Sequence, residues 1–85
     1  MTTRTRDELR AALFRALRGV APEVEPATID PARPLREQVD IDSIDFLNVL
    51  VALQRDVGVD VPEGDYAQVT TVDEFVRYLE RRLAG

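Results

Sequence analysis

The residues of this chain best placed to do chemistry stand together in Val39-Asp40-Ile41-Asp42-Ser43-Ile44-Asp45-Phe46-Leu47. A serine hydroxyl lies between two carboxylates, where an apolar-periodic segment begins. Taken by itself, such a cluster suits two readings. Ser and Asp are preferred N-cap residues, and acids in a first helical turn favour the helix dipole, so Asp42, Ser43 and Asp45 can simply start a helix. Asp40, Asp42 and Asp45 also resemble the opening of a calcium loop, but its sixth position is Asp45 where Gly is needed. Its twelfth is Val51 where a bidentate Glu is needed. Hydrolysis by Ser43 with an Asp as base is disfavoured, because an exposed Asp with a pKa of about 3.9 is a poor base near neutrality.

Composition removes most other chemistries. The 85 residues contain no Cys, no His and no Lys, and all 11 positive charges are Arg. A Cys–His pair, a Ser–His–Asp triad, a thiolate zinc site and a lysine Schiff base are therefore impossible within the chain. The net charge of −5 disfavours nucleic acid and an anionic membrane surface. The longest apolar run, Val49–Leu53, is five residues, far below a membrane span. Met1–Arg10 has no apolar h-region of a signal peptide. These features predict a soluble, acidic domain that inserts in no membrane and is poorly equipped to catalyse anything by itself; no disulfide reports the compartment, and a cytoplasmic protein fits.

The elements that must position the cluster follow from periodicity. Thr5-Arg6-Asp7-Glu8 has the form of a capping box, and Leu9, Ala12, Leu13, Ala16, Leu17 and Val20 form one apolar stripe. This predicts a helix over 5–19, with Gly19 as its stop. Pro22, Pro26, Pro31 and Pro34 forbid a long helix in the next segment. It reads as an ordered crossover, anchored by Ile29, Leu35 and Val39. A second helix is predicted over 43–57, ending before Gly58, with Phe46, Val49, Leu50, Leu53 and Val57 as its core face. Ile44, Leu47 and Val51 fall on another face that something else must cover. Val59 and Val61 turn inward, a short turn follows near 64–68, and Thr71-Val72-Asp73-Glu74 is a second capping box. It opens a last helix over 71–83, whose stripe is Val72, Phe75, Val76, Leu79 and Leu83. The expected fold is a single all-α domain, 1–85, with three main helices, one short helix and a long first loop.

Three phrases at matching separations, Asp42-Ser43-Ile44-Asp45, Val57-Gly58-Val59-Asp60-Val61-Pro62 and Val69-Thr70-Thr71-Val72, resemble the acyl carrier protein family. The resemblance spans about Leu9 to Leu83. It implies a four-helix bundle that holds acyl intermediates as thioesters on a 4′-phosphopantetheine arm, joined to Ser43 by a phosphodiester, with Asp42 as flanking motif. The chain lacks a thiol, and the arm would supply one. The implied partners are a phosphopantetheinyl transferase and acyl-activating or acyl-transferring enzymes of fatty-acid, polyketide or other specialised biosynthesis, visiting a monomer. A peptidyl or aminoacyl carrier shares these features. A non-catalytic helical adaptor, with Ser43 as a mere cap, is the alternative outside the family.

Departures from the family pattern bear on the partners. Ile44 replaces the usual Leu after the serine. Asn48, Gln54 and Arg55 stand where fatty-acid members carry acids. From Pro31 to Asp73 there are nine acids against Arg33, Arg36 and Arg55, so an acidic pole persists around the serine with its centre diluted. The expected partner surface combines Ile44, Leu47 and Val51 with Asp42, Asp45 and Asp56. The competing expectation is that the long loop folds over this stripe, with Ile29 or Leu35 as cover.

Overall fold

The computed structural model describes residues 5–84. Met1–Arg4 and Gly85, which fall within the predicted domain span, lie outside the described residues. The order is α1 (Arg6–Val20), a 3₁₀ turn (Pro26–Thr28), α2 (Leu35–Gln38), α3 (Ser43–Val57), a 3₁₀ segment (Glu63–Gln68) and α4 (Val72–Ala84). Among the described residues there is no strand, only one antiparallel bridge between Pro34 and Thr71. The fold is all-α, as expected.

Helix α1 starts where the capping box places it. The Glu8 amide donates to Thr5 Oγ1 and the Thr5 amide to Glu8 Oε1. Its stripe is buried at Leu9, Ala12, Leu13, Ala16 and Leu17 and packs on α3 and α4. Gly19, predicted as the stop, does not end the helix but sits exposed inside it, with nothing within 4 Å of where a Cβ would stand. The chain leaves the helix at Ala21 (φ −139°, ψ 79°) because the residue before Pro22 is pushed out of the helical region.

The crossover is ordered by apolar pegs: Ala21, Val24, Ile29, Leu35, Val39 and Ile41 are all buried. Backbone bonds from Leu35 N to Thr70 O (2.9 Å) and Asp73 N to Pro31 O (3.1 Å) tie it to the start of α4. The Gln38 side chain spans the bend, accepting from Asp30 N (2.7 Å) and donating to Asp30 O (2.9 Å). Four prolines thus rule out a long helix without loosening the segment.

Helix α3 carries several β-branched residues. Burial decides its structure: propensity costs at most about 0.7 kcal/mol per residue, whereas burying a Val or Leu gains roughly 1.5–3 kcal/mol. Val49, Leu50, Leu53 and Val57 are buried as expected. Phe46, expected in the core, is only half-buried at its edge. Its ring meets Tyr66 edge-on at 5.5 Å and Phe75 at 6.3 Å. The helix ends at Gly58, whose φ of +76° is the left-handed conformation that glycine adopts without strain.

In α4 the Thr71–Glu74 box forms, with the Glu74 amide donating to Thr71 Oγ1 at 3.0 Å and the Thr71 amide to Glu74 Oε1 at 3.2 Å. Leu83, expected in the stripe, is exposed because the whole last turn, 81–84, faces solvent. Tyr78, off the stripe, is buried instead. Its hydroxyl donates to Asp65 Oδ2 at 2.7 Å and accepts from Arg82 at 2.9 Å, pinning the 3₁₀ segment to α4. Burial, then the bond to Asp65, push the Tyr78 phenol above its ordinary pKa, and Arg82 offsets part of the rise.

Candidate functional site

Ser43 is the first residue of α3, and the residue before it caps the helix. Asp42 has extended backbone (φ −94°, ψ −175°), its Oδ1 accepts from Asp45 N at 2.8 Å, and Asp45 Oδ2 accepts from Asp42 N at 3.3 Å. This reciprocal pair occupies both carboxylates and leaves the serine out. The Ser43 side chain is exposed and its hydroxyl makes no hydrogen bond among the described residues. The reading of Ser43 as a mere N-cap therefore fails in the structure. Among the described residues no three His, Cys, Asp or Glu side chains converge to hold a metal ion.

Beside Ser43 opens a groove of about 390 Å³ between α2, α3 and the 3₁₀ segment. Leu35, Phe46, Leu47, Tyr66 and Val69 give it apolar walls; Arg36, Glu63 and Thr70 complete the lining with Ser43. A second cleft of about 370 Å³, between α1 and α4, is lined by Arg6, Asp7, Arg10, Asp73, Arg77 and Glu80. Its charges offset one another, and it does not include Ser43.

The second apolar stripe of α3 is open. Ile44 is 68% exposed, Leu47 46% and Val51 45%. Cover by the crossover is overturned, because Ile29 and Leu35 point into the core. The acids expected to flank the stripe are placed elsewhere. At about 100° per residue, Asp45 and Asp56 lie roughly 130–150° around the helix from the stripe. Asp45 bonds to the helix start, and Asp56 accepts from Arg15 of α1 at 2.8 Å. The positions bordering the stripe hold Asn48, Gln54 and Arg55. Of the expected partner residues, the structure thus brings Ile44, Leu47 and Val51 to one exposed face beside Ser43 and leaves Asp56 on another. Sequence reasoning missed Arg36 and Tyr66 as groove residues. Arg36 stood unmarked in a proline-rich stretch, and Tyr66 lay in a turn whose side of approach no periodicity reports.

The chain matches known proteins over most of its length. The family described as "Phosphopantetheine attachment site" matches residues 11–79. The meromycolate extension acyl carrier protein of Mycolicibacterium smegmatis is 29% identical over 77 residues, covering 91% of this chain and 77% of that protein. Its Mycobacterium tuberculosis counterpart is also 29% identical over 77 residues, with 66% of its own length covered. The acyl carrier protein of Rubrobacter xylanophilus is 29% identical over 56 residues, 66% of this chain and 69% of that one. No described helix is long and apolar enough to cross a membrane. An unengaged hydroxyl on a rigid helix start, beside an apolar groove, fits a covalently held flexible group. The chain belongs to the phosphopantetheine attachment-site family: it is a non-catalytic carrier protein with a covalent 4′-phosphopantetheine, similar to acyl carrier proteins.

Proposed function

We propose that Ser43 is the attachment residue and that the chain carries acyl groups as thioesters between cytoplasmic biosynthetic enzymes. The observation that carries this is the Asp42–Asp45 pair, which starts α3 without using the serine. The hydroxyl is left exposed, unbonded and fixed in position by a 15-residue helix. The arm, when bound, supplies the thiol that the chain lacks. The protein's own residues hold its root on a rigid edge, offer an apolar groove next to it and expose Ile44, Leu47 and Val51 alongside. An enzyme handling the arm must sit beside Ser43, so this stripe is the contact it meets first. Acyl cargo is favoured over aminoacyl cargo by the apolar walls of the groove and by the names of the relatives. The dilution of acids on α3 favours a specialised route, such as an unusual lipid or a polyketide, over the housekeeping fatty-acid pathway.

The test is intact mass after incubation with coenzyme A and a phosphopantetheinyl transferase. The expected result is a gain of one pantetheine phosphate, lost in Ser43→Ala. A gain that persists in that variant overturns the site assignment.

A further inference from the structure

The groove beside Ser43 contains one cation among its lining residues, Arg36. It belongs to α2, a helix of only four residues that is nonetheless firmly seated. The neighbouring Leu35 side chain is 3% exposed, Leu35 N donates to Thr70 O at 2.9 Å, and Val39 N closes the turn on Leu35 O at 2.8 Å. The backbone carrying Arg36 is thus held fast across the groove from α3, while its side chain is exposed.

Several nearby charges are otherwise engaged. Arg33 pairs with Glu37 at 3.7 Å, and Asp42 and Asp45 bond to each other's amides. Neither Arg36 nor Glu63, the one acid lining the groove, makes an ion pair among the described residues. A phosphodiester on Ser43 would add a negative charge to a neighbourhood that already holds Glu37, Asp40, Asp42 and Glu63. The unpaired guanidinium on the same groove is the group that can answer it, and its planar fork matches phosphate oxygens.

Resting on Ser43 as the attachment residue, we propose that Arg36 is a positioning residue for the arm. Its guanidinium pairs with the phosphodiester on Ser43 and turns the root of the arm over the groove formed by Phe46, Leu47 and Tyr66, rather than outward into solvent.

The experiment uses the full chain, unloaded and loaded from coenzyme A, as wild type, Arg36→Gln and Arg36→Lys. The primary readout is the phosphorus NMR resonance of the loaded protein, compared with a free pantetheine phosphodiester in the same buffer. The expected result is a displaced resonance in wild type that returns most of the way to the free position in Arg36→Gln and stops between the two in Arg36→Lys. Raising salt to about 1 M, where screening reaches about 3 Å, should move the wild-type signal the same way. A second readout needs no variant: among the arginine side-chain N–H resonances of wild type, that of Arg36 should shift most on loading. A mass gain with an unchanged phosphorus resonance in Arg36→Gln and an unmoved Arg36 signal overturns the pairing while leaving Ser43 in place. No mass gain, or one that survives Ser43→Ala, overturns the attachment reading and the pairing with it.

Discussion

Exchanging the two residues at the start of α3 should separate stability from function. Asp42 Oδ1 accepts from Asp45 N at 2.8 Å, a short bond that satisfies one of the orphan amides of the first turn, and Asp45 returns a longer bond at 3.3 Å. Replacing an N-cap Asp by Ala costs about 0.5–2 kcal/mol, typically ~1. The opposing gain from removing one acid in an acidic neighbourhood is smaller, because exposed charges are screened. For a domain of this size ~1 kcal/mol corresponds to a fall of roughly 4–8 °C in Tm. Ser43→Ala deletes no hydrogen bond, and Ala is the better helix former, so stability should stay within about 0.5 kcal/mol of wild type. Asp42→Asn keeps the capping oxygen and drops the charge, so it should restore most of what Asp42→Ala loses. Thermal and urea unfolding give the stability column, and intact mass after loading gives the functional one. The expected pattern is a stable Ser43→Ala that never gains mass, and an Asp42→Ala with a lowered Tm. If Ser43→Ala loses as much as Asp42→Ala, the hydroxyl is the cap and the argument for a free serine collapses.

Three further outcomes are expected. Leu47→Ala and Val51→Ala, about half exposed, should change stability by no more than about 0.5 kcal/mol while slowing loading by the transferase, whereas the fully buried Leu53→Ala should cost about 2–5 kcal/mol. Comparable losses in all three would make the stripe core, and because no acid borders it, the loading rate should depend only weakly on salt. Tyr78 has a folded-state pKa above its ordinary value, chiefly from burial, so its contribution is fully present below about pH 10 and is lost as pH rises through the folded pKa. Tm against pH should therefore fall more steeply above pH ~10 in wild type than in Tyr78→Phe, and parallel curves would contradict this. Gly58→Ala should cost about 1–2 kcal/mol by equilibrium unfolding, all of it conformational, since a Cβ there meets nothing within 4 Å; no loss would mean that the helix ends otherwise.

Local signals in the sequence were sufficient wherever the cause was local. Both hydroxyl capping boxes, at Thr5 and Thr71, form as spaced, and the stripes of α1 and α3 are buried nearly as patterned. The two glycines predicted to end helices show the limit. Gly58 takes the left-handed turn because the chain must reverse there toward Val59 and Val61, while Gly19 stays helical because Pro22 ends the helix a little later. Phe14 and Tyr78 lie off their stripes and are buried all the same, Phe14 beside an arginine one turn back on its own helix and Tyr78 against the 3₁₀ segment outside α4. Arg10 stacks on the Phe14 ring at 5.5 Å, and Asp65 bonds the Tyr78 hydroxyl. Asp56 is held away from the stripe by Arg15, which lies 41 residues upstream and so gives no local signal. At the site itself the serine and its acids were legible. Which of Asp42 and Ser43 caps was not, because both are good capping residues and one residue of register decides.

That one residue of register has a chemical consequence. A serine at the N-cap works through its side-chain oxygen, which accepts from an amide two or three residues on. Esterification of that same oxygen by a phosphate would crowd it and weaken it as an acceptor. A carrier built that way would lose about 1 kcal/mol of helix stability each time it was loaded. With Asp42 as the cap, the amide of Asp45 is satisfied whether or not Ser43 carries anything. Ser43 then stands at the first helical position, where its backbone is fixed by the helix and its side chain is held by nothing else. With the arm attached at Ser43 as proposed, loading and unloading would leave the capping bond at the start of α3 intact.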